Sequence, residues 1–400
     1  MKRVLIFSLA YEPFVGGAEL AIREITDRIH PAEYSFDMIT LRFDSNLPRV
    51  EKIGNVTVHR IGFCARGAKV SDRAMPFACK IAKVLFPFTA FFKAVSLHRT
   101  NRYDLVWALL ANQAAFAALF FKWMHPSTPY LLELQDGRAL SEMTHRRRVL
   151  HILWPLYRQI YMRADRIKAI SRFIEGEVRA LRYRKEVVVI PNGVDVARFS
   201  APIAPDMLTK LTIRFGKRDG DVFLFTASRL VLSRGVEDCI ESLVHLPTHV
   251  KLLIAGDGED REKLVHIASG LRVAERVIFA GHVAHHELPA YFHISDVFVR
   301  PSLIEGMGSA FIEAFAAGIP VVATAVGGIP DFLTDGITGL FCEVRDPKSV
   351  AMAVKKYLED PALAGRIVLN AKKLAAERYD WSDITIAMRT QIFDPMTGDN

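Results

Sequence analysis

The chain has 400 residues, half of them hydrophobic and 24% charged, with a formal net charge of +8. That length exceeds what one hydrophobic core usually organises, so two domains are expected, and the composition excludes a disordered or fibrous chain. The charge is uneven: residues 1–200 hold 31 Lys and Arg against 18 Asp and Glu, and residues 201–400 hold 21 against 26, so the halves carry +13 and −5.

A basic half of this size implies an anionic partner such as phospholipid, lipid diphosphate or nucleic acid. Four cysteines, Cys64, Cys79, Cys239 and Cys342, form no CxxC pair and no tight cluster, which argues against a disulfide scaffold or a zinc site and for a reducing compartment.

The start, MKRVLIFSLAYEPF, has an apolar run too short for an export signal and broken by Glu12 and Pro13, so it reads as a buried first strand. A glycine loop at residues 14–18 follows, then a helix with Leu20, Ala21, Ile25 and Ile29 near helical spacing. The runs DMITL, VTVHRI, DLVWALL, PYLLELQ, RIKAIS and VVVIPNGVD continue the βα alternation. Residues 105–121 form the longest apolar stretch, but Asn112 and Gln113 divide it and it falls short of a membrane span, so a strand and a buried helix are expected.

The strand signal lapses over residues 201–219, with Pro202, Pro205 and Gly216, which places the domain boundary there and gives domains of 1–200 and 217–380. A second series follows: VFLFTASRL, KLLIAGDG, RVIFAGHV, VFVRPS, PVVATAVGG and GLFCEV. Two α/β domains with parallel sheets are predicted, and a ligand is expected in a cleft at the carboxyl ends of their strands. The tail carries Trp381, Ile384, Ile386, Ala387, Met388 and Ile392, an apolar helix with Ser382 or Asp383 as its N-cap.

Chemistry concentrates in residues 300–318, RPSLIEGMGSAFIEAFAAG. Small residues at Gly306 and Gly308 let the backbone approach a ligand, and the amides of a helix starting near Ser309 attract phosphate. Glu305 and Glu313 are carboxylates suited to the paired hydroxyls of a sugar or ribose. Glu-x7-Glu, then AFAAGIPVVATAVGG, PNGVD from Pro191, AGDGEDREKL and ITGLFCEVRDP together resemble family 4 of the retaining glycosyltransferases over nearly all of residues 185–360.

That resemblance implies the GT-B fold, with residues 381–394 crossing back onto the first domain, and transfer of a sugar from a nucleotide-diphosphate sugar to a glycan, lipid-linked or small-molecule acceptor, as in polysaccharide biosynthesis. It gives Glu313 the ribose, Glu305 the donor sugar, and the backbone of Gly306, Met307, Gly308 and Ser309 the sugar and phosphates. Arg229 and Arg234 align with two cations that pair with the diphosphate, the second being Lys in the family, and Arg and Lys differ in geometry. Gly16 and Gly17 match the family's glycine loop. Gln135, followed by Asp136, stands where many members carry a histidine near the transferred sugar, and Gln cannot titrate near neutral pH.

The resemblance implies retention without a glycosyl-enzyme carboxylate: the diphosphate departs with its charge held by Arg229, Arg234 and helix-start amides, the acceptor attacks from the same face, and the leaving diphosphate can take the acceptor proton. No cofactor, metal or nucleic acid is expected: Asp219-Gly220-Asp221 lies in a turn before Val222 and joins no carboxylate cluster. Gly16-Gly17 is not the G-x-G-x-x-G of a dinucleotide oxidoreductase. A sugar-nucleotide epimerase or an inactive nucleotide-sugar-binding relative are the alternatives. The sequon Asn55-Val56-Thr57 is idle in a cytoplasmic protein. Residues 77–99 and 145–172 mix basic and aromatic residues as an interfacial helix does, so peripheral contact with an anionic membrane is the expected extra partner.

Overall fold

The computed structural model describes residues 1–14, 16–67, 75–137 and 148–398, with the backbone alone for 148–152. Residues 145–147 of the second basic stretch therefore lie outside the described residues, as does Val15 of the glycine loop. The chain forms two compact units, one of Met1–Asn192 with Trp381–Asn400, the other of Gly193–Asp380.

The first unit is built on strands β1 (Lys2–Phe7), β2 (Tyr34–Leu41), β3 (Val50–Ile53), β4 (Val56–Ile61), β5 (Leu105–Leu109), β6 (Tyr130–Leu134), β7 (Arg166–Ala169) and β8 (Glu186–Val189). They lie in the order β3-β4-β2-β1-β5-β6-β7-β8. All neighbours pair in parallel except the edge hairpin β3/β4. Helices α1 (Gly17–Asp27), α2 (Phe77–Asn101), α3 (Gln113–Met124), α4 (Arg148–Met162) and α5 (Arg172–Ala180) supply the crossovers.

Every residue of β5 and β6 is buried, as expected of central strands covered on both faces, whereas β3 alternates exposed and half-buried positions at the edge. Asn112, which divides the long apolar stretch, caps α3 by accepting a hydrogen bond from the Ala114 amide. Among the described residues no helix is long and apolar enough to cross a membrane.

The second unit has six strands, β9 (Val222–Ala227), β10 (Val250–Ala255), β11 (Val277–Gly281), β12 (Val297–Arg300), β13 (Val321–Thr324) and β14 (Leu340–Cys342). All are parallel, in the order β11-β10-β9-β12-β13-β14. Its helices are α6 (Val196–Ser200), α7 (Pro205–Phe215), α8 (Val236–Ser242), α9 (Arg261–Gly270), α10 (Leu288–His293), α11 (Ser309–Ala317), α12 (Pro347–Glu359) and α13 (Pro361–Arg378). The chain divides at Gly193, ahead of the stretch at 201–219 that the sequence suggested. The reason is packing: Phe199 of α6 is buried with its ring 5.8 Å from Phe292, so α6 and α7 belong to the second unit.

The chain then returns to the first unit through α14 (Trp381–Met388), a π-helical turn at Arg389–Phe393 and α15 (Asp394–Thr397). Trp381, Ile384, Met388, Ile392 and Phe393 join the core formed by β1, β2 and β5. The Phe393 ring lies 5.5 Å from both Tyr34 and Trp107, while Ile386 points outward. α14 begins at Trp381, so Ser382 and Asp383 fall inside its first turn and neither precedes it as an N-cap.

One cysteine expectation is overturned: Cys64 and Cys79 form a disulfide, their Cα atoms 4.6 Å apart. Their separation of 15 residues hid the pairing, which arises because the chain leaving β4 passes the start of α2. Cys239 and Cys342 are free and buried, and burial raises both thiols, Cys342 to about 12, so neither is a reactive group. We expect Phe393→Ala to cost about 3–5 kcal/mol of unfolding free energy and truncation before Trp381 to cost more, both read by denaturant melts; an unchanged midpoint for either variant would contradict a structural role for the returning segment.

Candidate active site

β12 is apolar until its last residue, Arg300, after which the chain turns through residues 301–308 into α11. Glu305 lies in this turn and is buried. Its Oε2 accepts from Arg234 Nη1 at 2.6 Å and from Arg300 Nη2 at 2.9 Å. Arg300 is buried as well; its guanidinium sits 4.1 Å above the Phe311 ring, and Nη1 donates to the Ala227 carbonyl at 3.3 Å. Burial pulls the Arg300 guanidinium down to about 10, with the Glu305 charge opposing that shift. Two guanidiniums on one carboxylate leave a surplus positive charge at the carboxyl end of the second sheet.

Two glycines beside this cluster have steric reasons to be glycine. Gly308 precedes α11 at φ 88°, and a Cβ there would lie 2.4 Å from Arg300 Nη2. Gly327, in the AVGG loop after β13, approaches so closely that a Cβ would fall 1.8 Å from the Glu305 carbonyl. The neighbouring Gly328 amide donates to that same carbonyl at 3.2 Å. A third loop arrives from β9: the short turn Leu232–Arg234 accepts the Leu303 amide on the Ser233 carbonyl at 2.9 Å, which fixes Arg234 beside Glu305. Arg229, just past β9, is exposed and makes no side-chain hydrogen bond or ion pair with the described residues.

Gly306 and Met307 are buried behind the loop, while Ser309 opens α11 in a half-buried position. Glu313, one turn into α11, is buried, and its Oε1 lies 2.9 Å from His285 Nε2. His285 stands in the loop between β11 and α10, with its ring 5.7 Å from Phe199. The two carboxylates singled out by their spacing are thus held by different partners: Glu305 by two arginines, Glu313 by a histidine.

In the first unit, Gly16 caps α1, and its amide donates to the Glu19 carboxylate at 2.8 Å. A Cβ at Gly17 would meet no atom within 4 Å, so nothing beside it demands a glycine. Gln135, just past β6, is drawn into a buried network. Its Nε2 donates to Glu133 Oε1 at 2.6 Å, and its Oε1 accepts from Asn192 at 2.9 Å. Glu133 also takes Lys168 Nζ at 2.6 Å and Trp107 Nε1 at 2.9 Å. Asp136, the next residue, is exposed. Asp221 is occupied by Lys251 at 2.6 Å and by the Arg218 amide at 2.8 Å, as a turn residue.

The family description Glycosyl transferases group 1 matches residues 210–374, and Glycosyl transferase 4-like domain matches residues 16–193. The chain belongs to the group 1 glycosyl transferases. It is similar to an uncharacterised glycosyltransferase of Methanocaldococcus jannaschii, at 25% identity over 96% of this chain and 95% of that one. It also resembles the GDP-mannose-dependent alpha-(1-6)-phosphatidylinositol monomannoside mannosyltransferase of Mycolicibacterium smegmatis, at 32% identity over 61% of this chain and 67% of the relative. Among solved structures, sucrose-phosphate synthase from Thermosynechococcus elongatus superposes with a TM-score of 0.83 at 20% identity, covering 100% of both chains, which shows the GT-B fold.

Sequence reasoning missed three members of this glycosyltransferase's polar framework: Arg300, His285 and the Glu133–Lys168 pair. Arg300 did leave a signal, a lone charge closing an otherwise apolar strand, whereas His285 is one of three histidines between Gly281 and Glu287 and nothing in the spacing favours it. Arg300→Leu is expected to lower the unfolding free energy by about 3–5 kcal/mol, since it strips a buried carboxylate of one of two cations, and Arg300→Lys by less; equal stability of wild type and Arg300→Leu in chemical denaturation would show that the pair is not a structural element.

Proposed function

We propose that this glycosyltransferase is a retaining enzyme that takes its sugar from a nucleotide-diphosphate sugar bound in the second unit and passes it to a glycan, lipid-linked or small-molecule acceptor. The observation that supports this most is the convergence of Arg234, Glu305 and the start of α11 at the carboxyl end of the second sheet, with Arg229 exposed nearby. Open α/β sheets bind ligands at these strand ends, and a helix start with two guanidiniums suits a diphosphate. The GDP-mannose dependence in the mycobacterial relative's name supports a nucleotide-sugar donor.

On this reading Arg234 turns from Glu305 to the diphosphate when the donor binds. Arg300, deeper and held against Phe311, keeps Glu305 in place to meet the donor sugar. Glu313 exchanges His285 for the ribose hydroxyls. In the transfer the bond from the sugar C1 to the diphosphate oxygen breaks, the acceptor oxygen bonds to C1 on the same face, and the acceptor proton passes to the departing diphosphate. The protein's share is to stabilise charge growing on the leaving group through Arg229, Arg234 and the helix start. Proton transfer to the leaving group asks no titratable residue at position 135.

Glu313→Ala is expected to weaken donor binding by about ten- to a hundredfold, the effect of losing one charge-assisted hydrogen-bonding group. Calorimetry checks it after a thermal-shift screen of UDP-, GDP- and ADP-sugars finds the stabilising donor; an unaltered dissociation constant would remove Glu313 from the site. Because the proposal meets the phosphate charge with Arg229, Arg234 and the helix start and with no metal ion, donor hydrolysis should proceed unchanged in EDTA, and rescue of a dead enzyme by magnesium or manganese would refute that assignment.

A further inference from the structure

α2 is apolar on two opposite sides. Cys79, Ala82, Phe86, Ala90 and Ala94 face inward and are buried. Phe77, Ile81, Val84, Leu85, Phe88 and Phe92 are exposed, with Phe77 at 78%, Val84 at 69% and Phe92 at 68%. At about 100° per residue these six positions fall on one stripe roughly 100° wide. Trp123 and Met124 at the end of α3 are exposed too, and ring contacts of Phe88 with Phe120 at 5.5 Å and of Phe120 with Trp123 at 5.6 Å join them to the stripe. With about 150–250 Å² for a whole aromatic side chain, these exposures leave on the order of 800 Å² of apolar surface open. Monomers rarely keep so large a contiguous patch, and a stable pair of proteins buries about 800 Å² on each partner.

Charge narrows the choice of occupant. α2 has no Asp or Glu, and its three lysines avoid the stripe. Lys83 and Lys93 are half-buried on the inward arc, and Lys83 is already partnered. Of the three, Lys80 alone is exposed, just outside the stripe's edge. A helix that lies on a bilayer needs a rim of free cations, which is lacking from Phe77 to Phe92. An uncharged apolar face of this area suits a second protein surface of the same kind.

The order of residues along the stripe points to which surface that is. About a point midway between Val84 and Leu85 its members pair off: Phe77 with Phe92, Ile81 with Phe88, Val84 with Leu85. A twofold axis at that point lays a second α2 antiparallel on the first, and every member of the stripe then meets another member. This is the self-complementarity that an isologous interface requires. The two copies of Lys80 would stand roughly 14 Å apart along the helix, beyond the ~10 Å reach of exposed charges at about 0.1 M salt. Arg99, on the same line but about two turns beyond Phe92, passes the start of the partner's helix.

We propose that this protein forms a homodimer in solution, joined by the outer stripes of two α2 helices packed antiparallel about a twofold axis near Val84 and Leu85, with Trp123 and Met124 widening the contact. The dimer is independent of the donor reading, and its tests use no nucleotide sugar.

Light scattering of the full chain at tens of micromolar should give twice the chain mass. Val84→Ser/Phe88→Ser/Phe92→Ser should raise the dimer dissociation constant at least about hundredfold, since each substitution enters the interface twice, while the circular dichroism spectrum stays that of wild type. Leu85→Cys should crosslink to its own copy on mild oxidation, because the axis brings the two positions together. Ser96→Cys, roughly 34 Å along the helix from its copy, should not. The native cysteines do not interfere: Cys64 and Cys79 are joined, and Cys239 and Cys342 are buried. A wild-type monomer, a triple variant that dimerises like wild type, or a dimer in which Leu85→Cys crosslinks no faster than Ser96→Cys would overturn the proposal. So would a wild-type monomer that sediments with phosphatidylcholine vesicles while the triple variant does not, since lipid would then be what covers the stripe.

Discussion

The second unit is organised around one buried carboxylate. Glu305 receives Arg234 and Arg300 on its side chain, while its backbone carbonyl receives the Gly328 amide. Three loops, after β9, β12 and β13, therefore meet on one residue, and each needs a small or closely placed neighbour to come near enough. Gly308 leaves room for the Arg300 guanidinium, and Gly327 lets the AVGG loop close over Glu305. A buried ion pair of this kind is weak evidence for stability as such, because desolvation offsets much of the attraction. Its consequence is positional: with Arg300 committed to the interior, Arg234, nearer the surface, is the cation able to exchange partners.

A comparable arrangement holds the first unit together. Trp107 on β5 donates to Glu133 through its indole and packs its ring against Phe393 from the chain's last segment. Glu133 in turn holds Lys168 and Gln135. The returning C-terminal segment and the polar end of β6 thus share one buried tryptophan. Trp107 and Glu133 thus link the tail to Gln135 by an unbroken run of contacts inside the first unit. The same segment contributes Tyr34–Asp394, a hydrogen bond of 2.7 Å, so it is anchored by polar as well as aromatic contacts.

Much of this architecture was legible in the chain itself. Runs such as VLIF, LVWAL and VFLFTA are apolar without alternation because their sheets are covered on both faces, and that pattern announces parallel α/β units without knowledge of their partners. Asn112 between DLVWALL and the next apolar run marked a break that the fold uses as a helix cap. The boundary was misplaced because proline and glycine density reports where strands stop, not which core a following helix joins. Phe199 decided that, and its partners Phe292 and His285 lie far along the chain. The Cys64–Cys79 disulfide escaped for a related reason, since its two residues meet only when α2 packs beside the end of β4.

For the site, the sequence by itself determined the kinds of groups and their local spacing: Glu305 and Glu313 around a glycine-rich helix start, Arg229 and Arg234 after a strand, and a glutamine at 135. Those are properties of short segments, where loop and helix geometry follow from neighbouring residues. Tertiary structure alone decided which charge meets which. It put Arg300 beneath Glu305, His285 against Glu313 and Glu133 under Gln135, and it turned one apolar side of α2 outward while burying the other. Periodicity reports that a helix has two apolar sides, but which of them finds a protein partner depends on elements distant in sequence, because burial and electrostatic pairing are settled by proximity in space.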